Sequence, residues 1–162
     1  MPDEHWTKEG KALTALILDS FRLNGRLQLA GDRLVAELGL TSARWQILGA
    51  IAYAERPESV AWHARTMGVH RQGVQRIVNE LEKEGIVEFG PNPHHKRAHL
   101  VLLTAKGRNL FDSAIALQIP WVNDLSKGLS VDDIATAQEV IDVLKTRLLE
   151  ADNSNEARSG QS

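Results

Sequence analysis

The sequence predicts a mostly α (α+β) chain, in which a winged helix-turn-helix lobe lies between N- and C-terminal dimerisation helices. Three observations lead to it. Between Val60 and Leu103 a short helical pattern, a glycine turn, a second helical pattern closed by glycine, and a basic Pro-stiffened hairpin follow one another. Positive charge gathers in that same stretch. The segments on either side carry apolar residues at helical spacing, with more apolar surface than one small core covers.

Residues 1–40 form the N-terminal dimerisation region. From Thr7 to about Leu38 apolar side chains recur at helical spacing, Leu13 and Ile17 among them. A helix or helix pair of that length is not held by intrinsic propensity, and Gly25 and Gly31 weaken it by about 1 kcal/mol each, so it must pack against something. Residues 41–104 form the DNA-binding lobe. Thr41 or Ser42 caps a helix through Trp45, Ile47, Leu48 and Ile51, Glu55–Ser59 reads as a loop, and Ser59 caps the next helix.

Inside the lobe, Ala64 stands where the first helix crosses the second, a place for a small side chain. Gly68 supplies the turn, where a positive φ is cheap without a Cβ. Val74 and Ile77 share the inward face of the second helix, which continues to Leu81. Subtracting that face leaves His70, Arg71, Gln72, Gln75 and Arg76 pointing outward near the helix N-terminus. Arg and Gln are the side chains that bond bidentately to guanine and adenine edges in the major groove. The hairpin tip Pro91-Asn-Pro-His-His-Lys-Arg97 adds His94, Lys96 and Arg97, cations suited to phosphate and to a narrow minor groove.

Residues 105–150 form the C-terminal dimerisation helices. Thr104 opens a helix through Phe111 and Ile119, which Pro120 kinks or ends. Ser130-Val-Asp-Asp133 resembles a capping box. Beyond it Ile134, Ala137, Ile141, Leu144 and Leu148 repeat at 3-4-3-4 spacing, a seam of coiled-coil type. Residues 151–162 are polar and are expected to form a disordered tail.

A net charge of −2 looks wrong for a DNA partner until it is divided. His63 to Arg108 holds eight Lys/Arg against four acids, +4, and the remainder of the chain is −6. One sign carried on a scaffold of the other suits phosphate binding. The chain contains no cysteine, which excludes thiol-based sensing and thiolate metal sites. No apolar run approaches the ~18 residues of a membrane span, and the polar, acidic N-terminus is unlike a secretory signal, so a cytoplasmic protein is expected.

The ordered set Leu40-Thr41-x3-Trp45-x-Ile47-Leu48, Val74-x2-Ile77-Val78-x2-Leu81-x3-Gly85-Ile86-Val87, Lys96-Arg97-Ala98 and Leu102-Leu103-Thr104-x2-Gly107 resembles the MarR family of transcriptional regulators over about residues 10–150. The resemblance implies a homodimer on a pseudo-palindromic operator, acting as a repressor that small aromatic ligands release. Two departures stand out. The family's wing Asp-x-Arg reads His95-x-Arg97 here, and Gly73 occupies a recognition-helix position where Ser, Thr or Pro is common.

An aromatic effector pocket would draw on Trp6, Phe21, Trp45, Tyr53, Phe111 and Trp121, although for any one of them a core role is the more ordinary expectation. His94, His95 and His99 do not suggest a metal centre, since positions 95 and 99 on an extended strand lie roughly 13 Å apart. No catalytic motif is present, and neither cofactor nor metal is expected. The partners implied are double-stranded DNA, a second copy of the chain and a small aromatic ligand, with no membrane. A ligand-insensitive architectural DNA-binding protein is the alternative.

Overall fold

The computed structural model describes residues 5–159, with side-chain environments for 5–154. It contains α1 (Lys8–Val35), a 3-10 turn (Ala36–Leu38), α2 (Ser42–Ala52), β1 (Glu58–Ser59), α3 (Val60–Met67), α4 (Arg71–Lys83), β2 (Val87–Gly90), β3 (Leu100–Leu103), α5 (Ala105–Leu125) and α6 (Val131–Ser159). Two compact units divide the chain, Met1–Pro120 and Trp121–Ser162.

In the first unit three antiparallel strands lie in the order β1-β3-β2. Val87 pairs with Leu103 and Phe89 with Val101, so β2 and β3 are the two arms of the wing. The edge strand β1 replaces part of the loop expected at Glu55–Ser59, with Glu58 opposite Val101. Two residues are too short to show a period-2 pattern, which is why the sequence reads as a loop there. Ser59 still caps α3, its hydroxyl accepting from the Trp62 N–H at 3.3 Å.

The core joins α2, α3, α4, β2, β3 and α5. Leu48 from α2, Ala64 from α3, Val74, Val78 and Leu81 from α4, Val87 and Val101 from the wing, and Phe111 and Ala114 from α5 are all buried. The buried stripe of α4 runs 74-78-81, and Ile77 lies at its margin, partly buried, instead of at its centre. Gly68 caps α3 at φ 66°, as a tight turn requires. At the other end of α4, the Ile86 N–H returns to the Leu81 carbonyl at 2.9 Å around Gly85.

Two close approaches position the flanking helices. A methyl group on Gly31 of α1 would collide with the Ser42 side chain at the start of α2. At the same junction Asp32 of α1 accepts from the Ser42 N–H at 2.7 Å, while Thr41 is the N-cap, accepting from Arg44 N–H at 3.3 Å. A methyl group on Gly107 would overlap the Ile86 carbonyl. Thr104 secures that seam: its hydroxyl donates towards the Gly85 carbonyl at 2.7 Å and accepts from Gly107 N–H at 3.1 Å. The wing is therefore tied at its base to the first turn of α5.

The helix α5 passes through Pro120 to Leu125, so the proline does not end it. The missing N–H removes only one helical hydrogen bond, and the bonds of the flanking residues carry the helix on. In the second unit, Ser130 caps α6, accepting from Asp133 N–H at 3.0 Å, while its hydroxyl donates to the Asp133 carboxylate at 2.6 Å. The helix then runs to Ser159, through most of the span 151–162 expected to be disordered. Glu150, Ala151, Glu156, Ala157 and Arg158 are good helix formers, and Ser154 turns its hydroxyl onto the Glu150 carbonyl at 2.8 Å instead of breaking the ladder. Residues 160–162 lie outside the described ones.

His63 is the one ionisable side chain among the buried residues of the lobe, 1 % exposed, with neither ring nitrogen hydrogen-bonded. It meets Trp62 edge-on, at 5.2 Å between ring centres. Burial pushes its pKa below the ordinary value, against a smaller opposing effect of Glu58. It adds no positive charge to the basic stretch in which the sequence places it. Because the fold holds this ring neutral while the unfolded chain protonates it near pH 6.5, its contribution is intact above that pH. It is lost as pH falls from there through the lower folded-state value. Urea unfolding of the wild type should therefore show stability declining between pH 7 and 5 more steeply than in His63→Leu; equal declines would assign the acid sensitivity to other groups.

Candidate nucleic-acid interface

Helix α4 presents its N-terminus to solvent. His70 is the N-cap residue and makes no side-chain cap bond, and Arg71, Gln72 and Arg76 are exposed. The N–H groups of Arg71 and Gln72 and the positive end of the helix dipole thus stay available to an anion, while the Gly73 N–H closes onto the His70 carbonyl at 3.1 Å. No Cβ contact exists within 4 Å of Gly73, so its lack of a side chain follows from no packing demand inside the chain.

The outward residues fall on two faces. Arg71, Gln75 and Asn79 line a groove facing the wing, together with Phe89, Arg97, Ala98 and His99. Ser59, Val60 and Ala61 form its floor, and its volume is about 310 Å³. Two guanidinium groups and an imidazole line it, and no carboxylate does. Gln72 and Arg76 lie on the neighbouring face, where Arg76 pairs with Glu80 at 3.2 Å. Both partners of that pair are well exposed, so it holds the guanidinium weakly. Arg71, Lys96 and Arg97 have no hydrogen bond or ion pair among the described residues.

The wing tip is a pair of turns, not extended strand, between Gly90 and Leu100. The strand-based spacing of His95 and His99 therefore does not apply. Asn92 organises these turns: its amide donates to the Ala98 carbonyl at 2.8 Å and its side-chain oxygen accepts from His94 N–H at 3.0 Å. Ala98 N–H closes onto the His95 carbonyl at 3.0 Å. The tip is thus shaped without the family's wing carboxylate, and His94, His95, Lys96 and Arg97 all project to solvent. His99 turns back against Phe89, with ring centres 6.3 Å apart. Among the described residues, no group of three or more His, Asp or Glu is placed to hold a metal ion.

Sequence reasoning missed Asn79 and Asn92. The first has a signal in hindsight, since it stands four residues after Gln75 on one helix face, and Gln75 Nε2 donates to its Oδ1 at 2.9 Å. The second sits between two prolines, where an asparagine turn is favoured.

The six aromatic residues expected at an effector pocket fall in different surroundings within their own units. Tyr53 and Phe111 meet edge-on at 5.4 Å, but Phe111 is buried in the lobe core and Trp45 packs at its margin. Trp6 and Phe21 are exposed on the first unit, 49 % and 69 %, and Trp121 belongs to the second. Of the residues expected at a dimer interface, Ile17 in the first unit is exposed and Leu13 half-buried; in the second, Ile134, Ile141 and Leu148 are exposed and Leu144 half-buried. No helix among the described residues is long and apolar enough to cross a membrane.

Comparison with known proteins agrees with this geometry. A family model described as the MarR family matches residues 38–98, from the end of the 3-10 turn before α2 to the wing tip. An uncharacterized protein of Mycobacterium tuberculosis is 34 % identical over 137 residues, 85 % of this chain and 92 % of that protein. The multiple antibiotic resistance protein MarR of Escherichia coli is 30 % identical over 115 residues, 68 % of this chain and 79 % of that protein. Among solved structures, a mutant of E. coli MarR complexed with operator DNA superposes with a TM-score of 0.64 at 26 % identity, covering 79 % of this chain and 94 % of that one. The fold of CouR from Rhodococcus jostii, bound to p-coumaroyl-CoA, matches with a TM-score of 0.69 at 22 % identity, over 76 % of this chain and 87 % of that one. A winged lobe with an open recognition helix, and relatives this similar over most of their length, lead to one conclusion: the chain belongs to the MarR family of DNA-binding transcriptional regulators.

Proposed function

We propose that this regulator binds a pseudo-palindromic operator as a homodimer in the cytoplasm and acts as a repressor. The observation that carries the DNA reading is the set of unpaired cations on α4 and the wing: Arg71 and Arg97 line one groove beside the open first turn of α4, and Lys96 is exposed on the wing tip. Arg71, Gln72, Gln75 and Arg76 would enter the major groove with His70 near phosphate, while Arg97, with Lys96 and His94, follows the backbone into the adjacent minor groove. That division fits the chemistry of the side chains: the helix carries amides beside its guanidinium groups, and the wing tip carries cations without amides that reach bases.

Dimerisation is supported by apolar surface that an isolated chain leaves in water. On α1, Ile17, Phe21 and Leu29 are exposed; on the second unit, Leu125, Ile134, Ile141 and Leu148 are. Patches of this kind mark interaction surfaces. A two-fold pair would set two recognition helices one turn of DNA apart, and that spacing makes the operator palindromic. Response to a small aromatic ligand is supported more narrowly, by Tyr53, whose exposed ring stands edge-on to Phe111.

Selection of duplexes from a random pool tests the DNA reading: an enriched inverted repeat supports it, whereas retention without sequence enrichment points to an architectural protein. Within that experiment, Arg97→Ala should weaken binding to the enriched duplex by about 1–3 kcal/mol. Its melting temperature should stay close to wild type, since Arg97 holds nothing in the free protein. Unchanged affinity at fixed salt would remove the wing from the interface. For the dimer, truncation after Leu129 deletes α6 and should yield monomer or aggregate in sedimentation; a soluble, unaltered dimer would place the interface elsewhere.

A further inference from the structure

We propose that Asn79 is a positioning residue that fixes the Gln75 amide for readout of adenine, an inference that rests on the DNA-binding reading above. Gln75 and Asn79 lie one helical turn apart on the groove-facing side of α4, and Gln75 Nε2 donates to Asn79 Oδ1 at 2.9 Å. A free glutamine rotates its amide and offers donor or acceptor to whatever base it meets. Here one N–H is already spent on Asn79, so the nitrogen end faces Asn79 and the oxygen end faces away from it. What remains is one N–H and one carbonyl oxygen side by side.

That pair matches adenine, whose major-groove edge presents the N7 acceptor next to the N6 amino donor. Guanine presents two acceptors there, N7 and O6, and would leave the glutamine oxygen facing another acceptor. A buried or contacted polar group left unpaired is penalised more than a missing bond is missed, so a fixed amide discriminates where a rotating one adapts. The neighbours reinforce the fixation. Gln75 is half-buried between α4 and the wing, which limits its rotamers, and no carboxylate lines the groove to draw its amide elsewhere. Asn79 itself is exposed, and its side-chain oxygen accepts the bond from Gln75.

The test is selection from a random duplex pool with the full-length protein and three variants, followed by affinity for single-base substitutions of the enriched site. Wild type should enrich adenine at one position of each half-site and discriminate against guanine there by about five- to a hundredfold. Asn79→Ala and Asn79→Leu remove the acceptor and should flatten that position alone. Asn79→Asp keeps an acceptor for Gln75 and should retain the adenine preference, while its added charge weakens binding to all sequences alike. A change in helix stability alone would alter affinity without altering base preference, so the preference separates positioning from scaffolding. If either folded acceptor-less variant keeps the wild-type preference, or if Asn79→Asp loses it, Asn79 does not orient Gln75. If wild type itself enriches no sequence, the DNA reading on which the inference stands fails, a result distinct from either.

Discussion

The constraint on which the interface depends is a core shared between the recognition helix and the wing. Val74, Val78 and Leu81 from α4 are buried in the same cluster as Val87 and Val101 from β2 and β3. Around that cluster, the backbone of α5 lies directly against the Ile86 carbonyl at Gly107, and Thr104 bonds across the junction. Neither the helix nor the hairpin is free to choose its own angle. The groove between Arg71 and Arg97 is consequently a property of the core, and the cations that line it need no mutual bonds to stay in place. Packing at native density transmits such placement, since a displaced helix would open a void that the lobe cannot refill.

The same economy explains where the charges are paired. Acidic residues of the lobe engage cations outside the groove, where Arg44 meets Glu84 at 2.6 Å and Arg76 meets Glu80 at 3.2 Å. The groove carries no acid, and its guanidinium groups remain unengaged. A protein near neutrality can in this way hold a locally positive face, with long-range repulsion elsewhere steering the duplex towards it.

Much of this was legible in the sequence because the signals were local. Gly68 and Gly85 sit at positive φ where the turn and the helix end needed them, Ala64 is buried at the helix crossing, and Ser59 and Thr104 cap as expected. What stayed hidden depends on tertiary neighbours. Strand β1 exists because β3 offers it a partner. Val78 outranks Ile77 in burial because the sheet, not the helix period alone, decides which edge of the apolar stripe is covered. Composition also does not separate the aromatic side chains by burial: Phe111 is buried in the core and Trp6 is exposed. The tail looked polar enough to be disordered, yet polar helix formers extend α6 to Ser159. The pairing of Gln75 with Asn79 was in reach of the i,i+4 rule, but recognition-helix residues invite reading outward, towards the ligand, before sideways.

The central claim is that one face, made of the N-terminal turns of α4 and the tip of the wing, meets DNA. Amide chemical shifts of isotope-labelled protein, followed as an enriched operator duplex is added, test it most directly. The largest changes should fall at residues 70–76 and 92–99, with those of the α6 seam near zero. Changes concentrated on α1 or α6, with 70–76 and 92–99 silent, would contradict the account.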